Sequence, residues 1–209
     1  MIANSSLLDE SSCREFLKHQ QKRIHAPNLK VTASMMMKKY AVVLPPRILD
    51  SIIFERQGID IPITACHLGE DLTFSVDESL VVKTESIADA WNNLFANHLT
   101  LLLITFHSTT NLPVHILWEN IAVRLNSYFR KAMERYPEHN ERIKDVVEEL
   151  HSLSGECFNW DNHPMRPYLT PTTHLTKQYK RKTCCYFHKL DKDKEMSHCL
   201  VCPLRSSCE

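Results

Sequence analysis

Apolar residues recur at intervals of three and four along most of the first 155 residues, and this spacing predicts a mainly helical body. Helix-like mixtures of apolar and polar residues occupy residues 9–23 and 29–40. A third helix is predicted around Ile48 and is expected to end before Gly58, because glycine favours the position after a helix. The chain therefore begins with three predicted helices.

The pattern changes between residues 61 and 83, where three short runs are rich in β-branched and aromatic residues. These runs are ITACHL, LTFSV and LVVK, and turn-forming glycine, aspartate and serine residues separate them. A small antiparallel β-meander near residues 61–83 is the expected structure.

Helical spacing returns after this predicted sheet. Ser86 and Asp89 have the spacing of a capping box, which predicts that a long, buried helix begins at this point. Two further helices are predicted after Pro113 and around Ile143, and Gly155 is expected to end the second of them.

Beyond residue 155 the helical periodicity is lost and proline becomes frequent, as is typical of irregular structure. The predicted fold class is α+β. We expect a mainly helical body at residues 1–155 and a loop-rich C-terminal lobe at residues 156–209.

Composition narrows the possible functions. Apolar residues make up 43% of the chain and charged residues 24%, with a net charge of zero, so we expect a folded protein without a general attraction to nucleic acid. None of the three glycines lies in a GxGxxG or GxxxxGK loop, so a Rossmann-type nicotinamide or flavin site is not expected.

The N-terminus does not resemble a secretory signal, and no apolar stretch is long enough to span a bilayer. A cytoplasmic protein without a transmembrane segment is expected.

The cysteines are the main candidates for chemistry. Of the eight cysteines, five fall within the last 26 residues, among Lys, Asp, His and Ser rather than apolar neighbours. Cys199 and Cys202 form a CxxC pair, and the adjacent residues Cys184 and Cys185 lie upstream of it across a gap of thirteen residues. A cytoplasmic chain is not expected to use them in disulfides, so the pattern predicts a metal or redox site.

Spacing alone leaves three possibilities open: a [2Fe-2S] cluster, a zinc ion and a thiol redox pair. A single zinc ion would need both sulfurs of the adjacent pair at about 2.3 Å, which is awkward for neighbouring residues. A two-iron cluster spreads its ligand positions more widely. His188 and His198 are expected to be hydrogen-bond donors or surface residues rather than ligands, since four cysteines are already present.

The remaining cysteines carry no ligand spacing. Cys13, Cys66 and Cys157 are isolated in the sequence and are interpreted as structural, and Cys208 is interpreted as a spare thiol near the C-terminus.

The C-terminal pattern, CCYF followed by CLVCPL, resembles that of the FhuF-like ferric-siderophore reductases. Two upstream blocks, MMMKKYAVVLPPRILDSI and LPVHILWENIAVRL, also resemble family segments, the second being similar to a Trp-x-Asn helix. Trp118 and Asn120 match that motif, but Trp118 is interpreted as a core residue and neither is assigned to the site. The gap of thirteen residues is longer than is usual in the family, and LDKDKEM is interpreted as an inserted polar loop.

The resemblance implies an oxidoreductase that reduces Fe(III) held by a siderophore, commonly of the hydroxamate type, to Fe(II) and so releases the iron. It implies that Cys184, Cys185, Cys199 and Cys202 hold a [2Fe-2S] cluster that supplies the electron, with no catalytic residue beyond the cluster. It also implies a loop-rich iron-sulfur lobe at the C-terminus. Because no nicotinamide site is expected, the electron donor should be a protein such as ferredoxin or flavodoxin.

Local charge offers two interpretations. Six basic residues and no acidic residue lie between His163 and Leu190, and they either offset the charge of an iron-thiolate cluster or form a docking face for an acidic electron donor. These residues are Arg166, Lys177, Lys180, Arg181, Lys182 and Lys189. An alternative function is a zinc-bearing binding module, with Lys177, Lys180, Arg181 and Lys182 as contacts to nucleic acid phosphates. The reductase interpretation predicts no nucleic acid partner.

Overall fold

Seven α-helices, together with shorter 3₁₀- and π-helical segments, form most of the computed structural model, which describes residues 2–190 and 198–205. The helices are α1 (Glu10–Arg23), α2 (Leu29–Val43), α3 (Pro45–Asp50), α4 (Ile87–Leu94), α5 (Thr100–Thr110), α6 (Val114–Arg135) and α7 (Asn140–Ser152). Together with small antiparallel sheets, they confirm the predicted α+β class.

Local capping signals account for several helix starts. The side chains of Asp9 and Asn28 accept hydrogen bonds from the first turns of α1 and α2. The predicted capping box is present at α4, where Ser86 and Asp89 each bond to the other's backbone amide. Wide-turn π-helical residues Phe95–Leu99 then join α4 to α5.

The third helix ends differently from the prediction. Helix α3 continues through a π-helical turn at Ser51–Glu55, and Arg56 rather than the expected glycine takes the left-handed conformation, with φ of 55°. The hydroxyl of Ser51 donates to the carbonyl of Gln57, which fixes the turn before Gly58 is reached. A Cβ on Gly58 would lie 2.8 Å from the carbonyl oxygen of Ser86, so glycine is needed for this close approach.

The strands form two sheets rather than one meander. Within residues 2–190 and 198–205, a three-stranded sheet has the order β1-β3-β4 and a two-stranded sheet pairs β2 with β5, all antiparallel. The strands are β1 (Ile2–Ala3), β2 (Ile59–Asp60), β3 (Cys66–Leu68), β4 (Phe74–Val76) and β5 (Val82–Lys83). The run LVVK therefore pairs with β2 instead of extending the β3–β4 hairpin, and β1 joins from the N-terminus.

Helices α2 and α6 pack together through the centre of the molecule, and aromatic rings fill the space beside them. Phe158, from the C-terminal arm that we define as residues 156–183, lies between Phe95 and Trp118 with ring centroids 4.5 and 5.7 Å away. Met165 from the same arm is also fully buried in this core. The arm thus packs into the body, while the division into domains at residue 155 stays a prediction.

The length and hydropathy of the helices bear on membrane topology. In the part of the chain that the structure describes, no helix is both long and apolar enough to cross a bilayer.

Candidate functional site

Two short loops bring the four predicted ligand residues to one region: the first cysteine loop holds Cys184 and Cys185, and the second holds Cys199 and Cys202. Cys185 and Cys202 are buried, and Cys184 and Cys199 are half-buried. The sulfurs of Cys185 and Cys199 lie 3.6 Å apart, although fourteen positions separate the two residues in the sequence. The adjacent cysteines and the CxxC pair therefore face each other.

Backbone contacts fix the two cysteine loops. Tyr186 has φ of 63°, and its amide donates to the sulfur of Cys184 over 3.3 Å. The amide of Cys202 donates to the carbonyl of Cys199 over 3.0 Å, which closes the CxxC turn. The backbone amide of Arg181 donates a hydrogen bond of 2.8 Å to the Val201 carbonyl, and this bond joins the C-terminal arm to the CxxC turn.

The sulfur positions can be compared with what a metal requires. A metal with thiolates at about 2.3 Å in a tetrahedron separates two sulfurs by about 3.8 Å, so the Cys185–Cys199 pair fits one metal. Among residues 2–190 and 198–205, no three His, Cys, Asp or Glu side chains are grouped so that they could hold a metal ion. The described geometry is one ligand pair with Cys184 and Cys202 near enough for charge interaction. The donors themselves, four soft thiols, suit iron-sulfur chemistry.

The thiol pair is electrostatically polarised. A hydrogen bond with the Cys199 side chain, assisted by the charges of Lys38 and Arg181, lowers the pKa of Cys185 although burial opposes the shift. The same hydrogen bond, together with burial, raises the pKa of Cys199. Cys185 is therefore the sulfur of the pair that carries negative charge first.

Helix α2 contacts Cys185 through two residues one turn apart. The hydroxyl of Ser34 donates to the Cys185 carbonyl over 2.9 Å, and the ammonium group of Lys38 lies 3.4 Å from the Cys185 sulfur. Positions four apart lie on the same face of a helix, which explains the shared target. Burial lowers the pKa values of Lys38 and Arg124. The negative charges of Cys185 and Cys199 partly oppose this lowering at each of the two groups. Positively charged side chains therefore surround the cysteines.

A buried ion pair links α6 to the residues just before Cys184. The side chains of Arg181 and Glu119 are 1% and 2% exposed and lie 3.2 Å apart. The Glu119 carboxylate also accepts the backbone amides of Lys182 and Thr183, over 2.5 and 3.0 Å, and the Thr183 hydroxyl. This carboxylate therefore holds the chain that enters the cysteine loop.

Asn120 extends the same network to α2. Its oxygen accepts from the Arg181 guanidinium over 2.6 Å, and its nitrogen donates to the carbonyl and hydroxyl of Ser34 over 3.1 and 3.0 Å. Trp118 lies in the core, as predicted, against Phe158. Sequence reasoning left Asn120 out of the site and did not consider Glu119. The available signal was two polar residues inside an apolar helical stripe.

The two histidines lie beside the cysteines. Nδ1 of His188 is 3.5 Å from the sulfur of Cys184, and the rings of His188 and His198 stack with centroids 5.6 Å apart. This position makes a hydrogen bond to a cysteine sulfur available to His188.

The other described cysteines lie in the body and arm. Cys13 and Cys66 are fully buried, Cys157 is half-buried, and burial raises their pKa values to about 11, 12 and 11. Inert buried thiols of this kind fit their structural interpretation. Cys208 lies outside the described residues, as does most of the predicted LDKDKEM insertion.

A cavity of about 340 Å³ opens beside Cys199, and we call it the basic cavity. Helix α6, the end of the C-terminal arm and the CxxC turn contribute most of its wall. Its lining residues are Lys38, Val123, Arg124, Asn126, Ser127, Arg130, Lys131, Thr170, Lys177, Gln178, Tyr179, Arg181, Phe187, Cys199, Leu200 and Val201. The sequence pattern did not predict this cavity, because its walls come from distant segments.

The six predicted basic residues of the arm and first cysteine loop do not share one surface. Arg181 is buried and paired with Glu119, so it cannot belong to a docking face. The guanidinium of Arg166 donates to carbonyls at the end of α7. Lys177, Lys180, Lys182 and Lys189 are exposed.

Comparison with known proteins agrees with the resemblance seen in the sequence. A family model described as ferric iron reductase FhuF-like transporter matches residues 47–177, which is more than half of the chain. The matched range contains all of α6 and ends before Cys184, so it does not include the four candidate ligands. The search of curated proteins found no match.

Proposed function

The chain belongs to the FhuF-like ferric iron reductase family, and we propose that it reduces siderophore-bound Fe(III) to Fe(II) by one electron and so releases the iron. One observation carries this proposal beyond the family level. The Cys185–Cys199 sulfur pair lies at metal-ligand spacing, and Cys199 lines a cavity large enough for a small chelate.

We assign a [2Fe-2S] cluster to Cys184, Cys185, Cys199 and Cys202. When bound, this cluster would supply the single electron at low potential, because four thiolates keep such a centre at the reducing end of its range. The positive charges of Lys38, Arg124 and Arg181 support the assignment, since they offset the charge of four thiolates.

The substrate chemistry follows from the preference of oxygen donors for Fe(III). Hydroxamate oxygens, the predicted donor type, bind Fe(III) more tightly than the less charged Fe(II), so one added electron loosens the complex. Each tenfold preference for Fe(III) lowers the potential of the complex by about 59 mV, so a tight siderophore requires a strongly reducing donor.

We infer that the electron comes from a small acidic protein of the ferredoxin or flavodoxin class. The exposed residues Lys180, Lys182 and Lys189 border the cysteine loop and form the proposed docking face. Charge reversal at these three lysines should slow reduction by the partner, while reduction by dithionite stays unchanged. If partner-driven reduction is insensitive to these reversals and to salt, the docking proposal fails.

The cluster assignment is tested by iron and acid-labile sulfide analysis of protein purified without oxygen. We expect about two of each per chain, with the red-brown absorption of ferric iron bound to sulfur. Cys184→Ser and Cys202→Ser should lose this absorption, and Cys157→Ser, at a half-buried cysteine in the arm, is the matched control. Full iron content in Cys184→Ser, or a colourless protein with stoichiometric zinc, would contradict the assignment.

A further inference from the structure

The basic cavity has an unusual charge distribution. Six of its lining residues are Lys or Arg, and no Asp or Glu lines it within the part of the chain that the structure describes. These residues are Lys38, Arg124, Arg130, Lys131, Lys177 and Arg181. A concave site lined by one sign of charge concentrates ligands of the opposite sign.

Arg130 pairs with Glu134 over 3.1 Å, and the other five cations fall into two groups. Lys38, Arg124 and Arg181 interact with the charges of the cysteine sulfurs. Lys131 and Lys177 lie on the exposed rim of the cavity, and neither forms an ion pair within residues 2–190 and 198–205. Ion pairing in the described part of the chain therefore does not account for these two rim lysines.

Arg124 provides a second, independent observation. Its Nε atom is buried, and no hydrogen-bond partner for it is found among residues 2–190 and 198–205. A buried donor without a partner is costly, so a ligand that supplies an acceptor there would be stabilised. Arg124 lines the cavity together with Cys199.

The uncharged part of the wall suits an organic chelate. Tyr179 and Leu200 are 47% and 66% exposed and line the cavity together with Val123 and Phe187. Apolar surfaces with a few placed charges are typical of small-molecule sites.

We propose that the basic cavity binds ferric chelates of net negative charge, specifically siderophores that keep free carboxylates after they have enclosed Fe(III). Arg124 and the rim lysines would contact those carboxylates. A neutral tris-hydroxamate complex would gain little from these cations. This inference rests on the proposed reductase function and specifies its substrate class by charge.

The test compares two chromium(III) complexes with identical donor atoms. Chromium(III) exchanges ligands slowly and resists reduction, so binding is measured apart from electron transfer. Chromium tris(acetohydroxamate) is neutral, whereas the tris complex of succinic monohydroxamate carries three free carboxylates. Affinities for the full chain, as isolated, would be measured by titration calorimetry.

We expect the carboxylate-bearing complex to bind at least about tenfold more tightly, a difference that two or three ion pairs can supply. Lys131→Gln/Lys177→Gln should reduce this preference to about threefold or less. The matched control, Lys18→Gln/Lys83→Gln, changes two exposed lysines outside the cavity and should keep the full preference.

Equal affinity for the two complexes, absence of binding by both, or a preference that survives in the rim variant would each overturn the inference. The outcome is separable from the proposed function. Charge-selective binding without any Fe(III) reduction would contradict the reductase proposal alone, and reduction without charge selectivity would contradict this inference alone.

Discussion

At the scale of single residues, Lys38 joins the body to the candidate cluster site. Its buried ammonium group lies 3.4 Å from the Cys185 sulfur. A positive charge at this distance stabilises the reduced, more negative form of a cluster more than the oxidised form.

Lys38→Met should therefore make the reduction potential of the cluster more negative, on the order of 60 mV, which is about a tenfold change in the reduction equilibrium. The measurement is a redox titration followed by absorption. Lys39→Met changes the exposed neighbour on α2 and is the control. An unchanged potential in Lys38→Met, or an equal shift in both variants, would contradict this role.

His98 is expected to affect how the free energy of unfolding depends on pH. Burial lowers the pKa of His98 to about 4, below its ordinary value of 6.5. Its Nδ1 lies 3.0 Å from the Ile61 carbonyl and its Nε2 lies 2.5 Å from the Tyr40 hydroxyl. Since the carbonyl only accepts, Nδ1 carries the proton of the neutral ring and Nε2 accepts from Tyr40.

The pH dependence has a definite sign. The unfolded chain protonates His98 below about pH 6.5, whereas the folded chain keeps it neutral down to about pH 4. The stability that His98 contributes is therefore complete above pH 6.5 and falls by about 3 kcal/mol between pH 6.5 and 4. In urea titrations, the free energy of unfolding of His98→Gln should fall less over this range than that of the wild type. Parallel pH profiles would contradict the prediction.

At the scale of elements, the Glu119–Arg181 ion pair fastens the cysteine loop to α6. Glu119→Gln would leave the Arg181 charge buried without its counter-ion. Such a change costs about 3–5 kcal/mol, so we expect a loss of stability in this range together with poorer retention of iron.

An exposed ion pair on α7 offers the control. Glu141 pairs with Lys144 over 2.7 Å, but both side chains are well exposed. Glu141→Gln should change the free energy of unfolding by less than about 1 kcal/mol and leave the iron content intact. Similar losses in the two variants, measured by urea unfolding and iron analysis, would contradict the fastening role of Glu119.

The elements also show which parts of the fold local sequence could predict. The start of α4 was predictable because Ser86 and Asp89 form a local signal that needs no tertiary contact. The pairing of β1 with β3 was not, since two-residue strands carry no alternating pattern. The third helix ends before Gly58 as expected, but Arg56 rather than glycine takes the left-handed conformation, because Ser51 and Gln57 close the turn first.

The candidate site was also predictable only in part, because local sequence signals do not reveal contacts between distant residues. The ligand candidates stand out by residue type and spacing, so Cys184, Cys185, Cys199 and Cys202 could be proposed from the sequence, and their role as ligands stays a prediction. Arg181 looked like a surface residue because it lies in a basic run, and its partner Glu119 is 62 positions away. Contacts between such distant residues depend on helix packing, which periodicity does not reveal.

At the scale of the whole molecule, the packing of α2 against α6 assembles the site. These helices supply Lys38 and Arg124, and the C-terminal arm completes the basic cavity next to Cys199. The family match ends before the cysteines, so we propose a functional link between the body and the cysteine loops. This link requires an electron to pass from the cysteine-bound centre to a ferric chelate.

The most direct test is a single-turnover experiment without oxygen. The protein is reduced with dithionite, freed of excess reductant and mixed with a ferric hydroxamate and a coloured Fe(II) chelator. We expect one Fe(II) for each cluster that becomes reoxidised, with both signals rising at the same rate, and no reaction when NADPH alone replaces dithionite. Reoxidation of the cluster without Fe(II) release, or equal Fe(II) release by cluster-free Cys185→Ser, would contradict it.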